Sequence, residues 1–154
     1  MILRPIEPQD RSQVEALYGA ELPQCPGLVD IILDEPSVFT LVAVVAEEVV
    51  GALSVALCSE RWRPGAKLGG DLAEVLAIAV RPSMRRMGIG LRLMESAHAF
   101  ADGSGAKRLE AQIREQPEAI HWLLAGLGWR PVEIEAETYA DGQRAIRVAA
   151  EVGG

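Results

Sequence analysis

The stretch that decides the fold is AEVLAIAVRPSMRRMGIG, residues 73–90. Together with Leu72, its first part is almost wholly apolar as far as Val80, which is typical of a strand covered on both faces. Arg81-Pro82 ends that strand, and the hydrophobic pattern predicts a helix from Gly88 to about Ala101. A buried strand, a turn with two glycines and a helix in this order predict an α/β unit.

The turn between this strand and this helix has the composition of an anion-binding site. Gly88 and Gly90 let the backbone turn sharply and approach a ligand closely. The free N–H groups and the positive dipole end of the helix that follows attract negative charge. In a chain of net charge −7, a local cluster of basic residues indicates an anionic ligand. The cluster consists of Arg81, Arg85, Arg86 and Arg92.

Two common phosphate-binding motifs do not match this turn. A P-loop requires Gly-x-x-x-x-Gly-Lys-Ser/Thr, and the turn has neither the lysine nor the hydroxyl. A dinucleotide fingerprint requires a third glycine, whereas Gly90 is followed by Leu91, Arg92 and Leu93. Taken by itself, the motif also fits an ordinary glycine turn with solvated arginines.

Outside this stretch, the pattern predicts a single domain over residues 1–154 in which strands and helices alternate. The predicted strands cover 2–6, 39–46, 49–57, 107–113, 129–137 and 144–148, and further helices cover about 11–22, 27–35 and 117–127. Asp10 is the expected N-cap of the first helix, Pro23 and Pro26 end it, and Gly51 suggests a bulge. Tight turns are expected at Glu47-Glu48 and Asp141-Gly142. The fold class is α/β, a mixed central β-sheet flanked by helices in the order β-α-α-β-β-β-α-β-α-β-β.

Composition narrows the class of function. Hydrophobic residues make up 49% of the 154 residues, which is ample for a core. The acidic balance argues against general nucleic-acid binding and favours a cationic small molecule. Arg4, Glu7 and Asp10 interrupt any apolar leader, and no apolar run reaches the roughly 20 residues of a membrane span. Cys25 and Cys58 have neither metal-ligand spacing nor a disulfide framework, so we expect reduced thiols in a cytoplasmic protein.

The strand and turn together resemble the acetyl-CoA signature of the GNAT N-acetyltransferase superfamily, Gln/Arg-x-x-Gly-x-Gly/Ala after the fourth strand. Here the signature is Arg85-x-x-Gly88-x-Gly90. Strand 73–80 is similar to the preceding strand of the histone-acetylating branch, and Glu74 stands eleven residues before Arg85, where that branch carries its catalytic glutamate. The resemblance implies acetyl-CoA as cosubstrate, an amine as acceptor, no metal and a possible homodimer.

The resemblance also implies which residues hold the cosubstrate. The backbone N–H groups of Arg86 to Leu91 would bind the CoA pyrophosphate. Ile78 and Val80 would pair through their backbones with the pantetheine arm, where the fourth and fifth strands of the family splay apart. The implied cofactor-binding set is Ile78, Ala79, Val80, Arg85, Arg86, Met87, Gly88, Ile89, Gly90 and Leu91.

By the same resemblance, Glu74 would be the general base that frees the acceptor amine. An alkyl ammonium has a pKa of about 10.4 and a glutamate of about 4.3, so direct proton transfer is uphill by roughly 8 kcal/mol. The base would therefore act through water, or in a site that brings the two pKa values together. The amine would attack the thioester directly, and strand N–H groups would stabilise the oxyanion. The alternative interpretation of Glu74 is a solvent-exposed residue where the strand begins.

The general acid departs from the family's pattern. The tyrosine that often precedes a Gly-Phe pair falls on Leu124, ahead of Gly128-Trp129, and Gln116-Pro117 replaces the usual asparagine. Tyr139 is interpreted as an aromatic at a strand end. A CoA-binding regulatory or partner module without catalysis therefore stays open, as does phosphate binding unrelated to this family.

Three further features have a structural interpretation. His98 is expected to pack in a helix, and Cys58 is expected in the core because no Cys–His arrangement surrounds it. Residues 61–63, Arg-Trp-Arg, lie in the loop where members of the family often contact the acceptor. A loop anchored by one aromatic side chain is an equally good interpretation of that tripeptide.

Overall fold

The computed structural model describes residues 1–22, 27–114, 126–138 and 144–153. The strands in these ranges form one mixed sheet of seven strands. The strands are β1 (Ile2–Pro5), β2 (Val38–Val45), β3 (Glu48–Cys58), β4 (Leu72–Val80), β5 (Arg108–Arg114), β6 (Arg130–Thr138) and β7 (Arg144–Glu151). The α-helices of the same ranges are α1 (Arg11–Glu21), α2 (Leu28–Asp34) and α3 (Ile89–Gly103). The strand order is β1-β2-β3-β4-β5-β7-β6, and only the β4–β5 pair is parallel. The predicted α/β class with one mixed central sheet is confirmed.

Helices cover both faces of the sheet, and each face has its own hydrophobic core. On one face, α3 buries Leu93, Met94 and Ala97 against β3, β4, β5 and β7. On the other face, α1 buries Val14, Leu17 and Tyr18. The apolar sequence of β4 follows from this cover on both sides. Within the described ranges, no helix is long and apolar enough to cross a membrane.

A β-bulge interrupts β4 at Leu76. Val75 pairs with Val55 and Ala77 pairs with Ser54, so Leu76 has no partner on β3. An extra residue of this kind bends the strand and leaves its own backbone groups outside the regular ladder. The nearly unbroken apolar sequence of β4 did not predict this bulge.

The bulge reverses the direction in which the side chains of β4 point, so the alternation before Leu76 does not continue after it. Val75 lies in the core beneath α3, whereas Ala77 lies in the core beneath α1. Since side chains alternate along a strand, one extra residue reverses their facing from that point onward. Glu74 therefore faces the α1 side of the sheet, while Ile78 and Val80 pack against the α3 core.

The bulge expected at Gly51 is confirmed by a register shift between β2 and β3. Val50 is the extra residue of that shift and directly precedes Gly51. A Cβ atom at position 51 would lie 3.0 Å from Ile89 Cγ2 and 3.2 Å from a methyl group of Leu93. The glycine therefore lets the first turn of α3 approach the sheet closely.

One local prediction is wrong by one residue, and a second holds for the position of the residue but not for its side chain. The turn expected at Glu47-Glu48 lies one residue earlier, because Ala46 and Glu47 have φ values of +49° and +67° and Glu48 already belongs to β3. Positive φ at both central residues gives the tight turn whose twist matches that of the flanking strands. Asp10 occupies the N-cap position of α1, as predicted, yet its side chain forms no capping hydrogen bond. Its carboxylate instead accepts the N–H of Glu7 at 2.8 Å.

Several predicted features lie outside the described residues. They are most of the helix over 117–127, the two prolines expected to end the first helix, and the Asp141-Gly142 turn. The strands on either side of that turn, β6 and β7, pair antiparallel as a hairpin requires.

Candidate active site

The strands β4 and β5 pair over only four residues and then separate. Their parallel register runs from Leu72 opposite Arg108 to Val75 opposite Ala111. Beyond it β4 continues to Val80, and residues 76–80 have no partner on the β5 side among the described strands. This gap is the separation of the fourth and fifth strands that the family resemblance implies.

Backbone groups of β4 point into this gap. The N–H of Arg81 donates to the carbonyl of Val50 at 2.8 Å, on the β3 side. Because successive residues of a strand direct their N–H and C=O groups to opposite edges, those of Val80 and Ile78 face the gap and those of Ala79 face β3. The backbone groups of Ile78 and the N–H of Val80 thus form a strand edge with no partner strand among the described residues, which suits pairing with an extended chain that carries amides.

The N-terminus of α3 opens at the end of the same strand. Gly88 precedes the helix with φ +79°, and no described side chain caps it. The first helical hydrogen bond joins the N–H of Arg92 to the carbonyl of Gly88 at 3.0 Å. The N–H groups of Ile89, Gly90 and Leu91 therefore lack intrahelical acceptors and lie at the positive end of the helix dipole. An anionic group of a ligand fits this arrangement.

Two of the four predicted arginines are held by carboxylates. Arg81 forms an ion pair with Glu48 at 2.9 Å. Arg85 forms an ion pair with Glu21 and donates from Nε to the carbonyl of Val80 at 3.3 Å. The side chain of Arg85 therefore lies at the mouth of the gap between β4 and β5.

The other two arginines are exposed to solvent and accessible to a ligand. Arg86 and Arg92 are exposed, and neither forms an ion pair with any residue that the structure describes. Arg86 has φ +64°, a left-handed conformation that costs a residue with a side chain roughly 1–2 kcal/mol. Met87, also predicted for the cofactor site, is 65% exposed. The exposed basic loop and the free helix end together form a positive surface.

Glu74 is buried, so its interpretation as a solvent-exposed residue is wrong. Its relative exposure is 9%. Glu74 Oε1 accepts the backbone N–H of Trp62 at 3.0 Å and lies 3.2 Å from Arg147 Nη2. No hydrogen bond or ion pair with a described residue involves Oε2, so within the described part of the chain that oxygen is open to a water molecule or an acceptor.

Arg147 is a site residue that sequence reasoning missed. It lies on β7, is 3% exposed, and forms a second ion pair with Glu110 on β5. Its Nη2 atom is within ion-pair distance of Glu74 but out of line for a hydrogen bond. Burial lowers the pKa of Arg147, but the hydrogen bond to Glu110 and the charges of Glu74 and Glu110 more than offset this, so its pKa lies above the usual value.

This cluster supplies the countercharge that a buried Glu74 requires. Glu74 and Glu110 are opposite each other in the parallel β4–β5 register, so two carboxylates share one buried guanidinium. Glu110 also lies 3.1 Å from Arg108 Nε. The sequence does contain one sign of this buried arginine, because Arg147 is a charged residue between apolar residues of β7.

Trp62 anchors the loop between β3 and β4, which agrees with the interpretation of residues 61–63 as a loop anchored by one aromatic side chain. Its indole Nε1 donates to Ser37 Oγ at 3.0 Å, and its ring packs against the core beneath α1. Its backbone N–H holds Glu74. The structural role of the tryptophan therefore also ties this loop to the candidate base.

Cys58 is buried at the end of β3, as predicted. Burial, followed by the charge of Glu74, raises the pKa of its thiol to about 11, although Arg147 opposes the shift. In a Cys25→Ser background we expect Cys58 to resist alkylation by iodoacetamide at pH 8 and to react fully in denaturant. Mass spectrometry measures both reactions, and rapid labelling of the native protein would contradict the buried position.

The raised thiol pKa also predicts a pH dependence of stability. The protonated thiol is favoured in the folded state, so this contribution is fully present below pH about 8.5, the usual thiol pKa. It is lost as the pH rises through about 11. The difference in unfolding free energy between the Cys25→Ser protein and its Cys58→Ala variant should therefore shrink over this range, as measured by urea unfolding.

His98 packs edge-on against Trp129, with ring centroids 5.5 Å apart, as expected of a packed helix residue. Burial lowers its pKa. Leu124, Gln116-Pro117 and Tyr139, on which the question of the general acid depends, lie outside the described residues.

The model of the acetyltransferase (GNAT) family matches residues 6–129 of the chain. Three solved structures with similar folds each cover 98–99% of the chain. An IAA acetyltransferase from Bacillus cereus has 20% identity, 99% of its own chain covered and a TM-score of 0.75. The ribosomal-protein-S18-alanine N-acetyltransferase from Escherichia coli has 16% identity, 94% coverage and a TM-score of 0.75. Arabidopsis thaliana NAA60 in complex with acetyl-CoA has 15% identity, 99% coverage and a TM-score of 0.80.

Proposed function

Because the chain belongs to the GNAT acetyltransferase family, we propose that it transfers an acetyl group from acetyl-CoA to an amine of a small molecule or peptide. The observation that carries this proposal is the gap between β4 and β5. At one end of the gap lies the uncapped N-terminus of α3, and near the other lies the buried carboxylate of Glu74. An anion site and a candidate base are thus joined by a free strand edge.

The cosubstrate is assigned to the edge and the helix end. The N–H groups from Arg86 to Leu91 would hold the pyrophosphate, with the exposed charges of Arg86 and Arg92 nearby. The backbones of Ile78 and Val80 would bind the pantetheine arm, since both face the gap. Bound in this way, acetyl-CoA supplies the thioester that the amine attacks.

Glu74 is assigned the role of general base. Its Oε1 is held by Trp62 and Arg147, so the carboxylate has a fixed orientation with Oε2 free of described partners. Removing a proton through one water molecule would make the acceptor amine nucleophilic. The fixed orientation favours this role because a base must lie within hydrogen-bond reach of the proton or of the bridging water.

The N–H of Leu76 is assigned to the oxyanion. The bulge leaves Leu76 without a partner on β3, and the register with β5 ends one residue earlier at Val75. A backbone donor outside the ladder, close to the base, is a group of the kind that stabilises negative charge on a carbonyl oxygen. This donor belongs to the backbone, so no side-chain variant removes it.

Ligand-dependent stability tests the cofactor assignment. A ligand at 100 times its dissociation constant stabilises a protein by about 2.7 kcal/mol, which corresponds to several degrees in Tm for a chain of this size. We expect acetyl-CoA and CoA to raise the Tm of the purified protein, and ATP and NAD at equal concentration to leave it unchanged. Differential scanning fluorimetry measures all four in parallel.

An equal shift with ATP would contradict the CoA assignment and favour a general phosphate site. The second candidate function is a CoA-binding regulatory or partner module without catalysis, favoured by the absence of a tyrosine at position 124. A shift with CoA but no release of CoA thiol across a panel of amines would support that module over the enzyme.

A further inference from the structure

The loop between β3 and β4 lines an open cavity on the surface of the protein. The cavity has a volume of about 350 Å³ and is lined by residues 58–61 and 63–67. Ligand pockets in proteins begin at roughly 300 Å³. The space therefore suits a small molecule, or one end of a larger one.

The charge of this cavity is opposite to that of the whole chain. Arg63 and Lys67 line it, and neither forms an ion pair with any residue that the structure describes. Arg61 lines it as well, and among the described residues that line the cavity Glu60 is the one carboxylate. In a chain of net charge −7, this local excess of positive charge favours a negatively charged group in the cavity.

The loop that forms the cavity is held in place before any ligand binds. The N–H of Gly65 donates to Glu35 Oε1 at 2.8 Å, which ties the loop to the end of α2. The indole of Trp62 donates to Ser37 Oγ at 3.0 Å, just before β2. Because the loop does not have to become ordered on binding, little of the binding free energy is lost to ordering.

The loop that lines the cavity also contacts Glu74. Trp62, whose backbone N–H donates to the Glu74 carboxylate, stands between two residues that line the cavity, Arg61 and Arg63. Cys58 lines the cavity too, and the charge of Glu74 acts on its thiol. A small acceptor could therefore place its amine at Glu74 and its other end in the cavity.

We propose that this cavity binds a negatively charged group of the acceptor, so that the acceptor is an amine that also carries a carboxylate or a phosphate. The inference rests on the proposed acetyltransferase function for the amine half of the molecule. It differs from the cationic acceptor that the net charge of the chain favours, because a small ligand responds to the charges that line its site.

Matched pairs of amines test the proposal through release of CoA thiol. Amino acids are compared with their carboxamides, and phosphoethanolamine with ethanolamine, which separates carboxylate from phosphate recognition. We expect kcat/KM to be at least about tenfold higher for the anionic member of one of the two classes of pair, equivalent to about 1.4 kcal/mol. In the double variant Arg63→Gln/Lys67→Gln this ratio should fall to about one.

The double variant Lys107→Gln/Arg130→Gln is the charge-matched control. It also removes two positive charges, but from exposed positions outside the cavity, and it should preserve the ratio of kcat/KM between the anionic and the uncharged amine of each pair. Equal kcat/KM within every pair, or the same loss of preference in both double variants, would overturn the proposal.

Calorimetry tests the cavity without any turnover. Glutarate and its uncharged analogue glutaramide are titrated into protein saturated with CoA, so that the N-terminus of α3 is already occupied. Glutarate should bind the wild type and the control variant but not Arg63→Gln/Lys67→Gln, and glutaramide should bind none of them. Absence of glutarate binding in a protein that also shows no preference for phosphoethanolamine over ethanolamine, or glutarate binding unaffected by the cavity variant, would overturn the proposal. Binding that depends on the cavity, without acetylation of any amine, would leave the anion site standing and refute the proposed enzyme.

Discussion

Replacement of Glu74 by glutamine should lower kcat by about 100-fold, within the range that one general base contributes, and leave the affinity for acetyl-CoA nearly intact. Glutamine keeps the shape of the side chain and can still accept the N–H of Trp62. It cannot accept a proton from the ammonium or from a bridging water at neutral pH. Steady-state kinetics and CoA titrations on the same preparation separate the two effects.

The pH profile distinguishes loss of a base from loss of structure. As the pH approaches about 10, the free amine becomes abundant without help from the protein, so the defect of Glu74→Gln should narrow. A loss of the same size at every pH would indicate that the residue acts only through packing. Unchanged turnover would remove Glu74 from the mechanism.

Glu110→Gln is the matched control for this variant. It removes one negative charge from the same buried cluster but leaves the contact between Glu74 and Arg147 in place. Its kcat should fall less than about tenfold, a smaller loss than removal of a general base causes. Equal losses from the two variants would indicate that the cluster's net charge, and not the carboxylate of Glu74, determines turnover. Thermal unfolding of both variants establishes how far each change destabilises the fold.

Replacement of Gly90 by leucine should weaken CoA binding by about 100-fold or more. A charge-assisted hydrogen bond contributes roughly 1.5–3 kcal/mol, so two such bonds lost between a phosphate and the helix end account for this factor. A Cβ atom at Gly90 meets only Val80 Cγ2, at 3.8 Å, an ordinary contact. The fold therefore has room for a side chain that the ligand does not.

Two further variants isolate the steric effect. Gly90→Ala adds one methyl group and should retain most of the affinity, in agreement with the Gly/Ala alternative of the family signature. Gly103→Leu makes the same change at the other end of α3, where a Cβ meets nothing within 4 Å, and should bind CoA as the wild type does. Normal CoA binding by a folded Gly90→Leu protein would refute the assignment of the pyrophosphate to this turn. Calorimetry provides the dissociation constants.

Much of the fold could be predicted because the decisive signals are local. The apolar run from Leu72 to Val80 has the same bounds as β4, since burial on both faces leaves a continuous hydrophobic strand. The start of α3 follows from Gly88, whose φ of +79° is a conformation that glycine adopts without strain. Pro131 in β6 is tolerated because that strand lies at the edge of the sheet.

The site was predictable to the extent that it consists of backbone. The turn from Arg86 to Leu91 and the strand edge of Ile78 and Val80 depend on local conformation, and the structure places them on one gap. Glu74 was singled out as the candidate base by the family resemblance, which places a glutamate at this spacing from the turn. The burial of Glu74 and the identity of its partners could not be predicted, because the partners, Trp62 and Arg147, lie in a loop and in a distant strand.

The sequence by itself therefore determined the α/β class and the strand, turn and helix that form the proposed anion site, and its resemblance to the family singled out Glu74 as the candidate base. Only the tertiary structure decided how these parts face one another. The bulge at Leu76 leaves no trace in an apolar strand, yet it turns Glu74 towards one face and Ile78 and Val80 towards the other. The pairing of Arg147 with Glu74 depends on the order of strands in the sheet, because a buried charge is neutralised by whichever opposite charge the fold brings within reach.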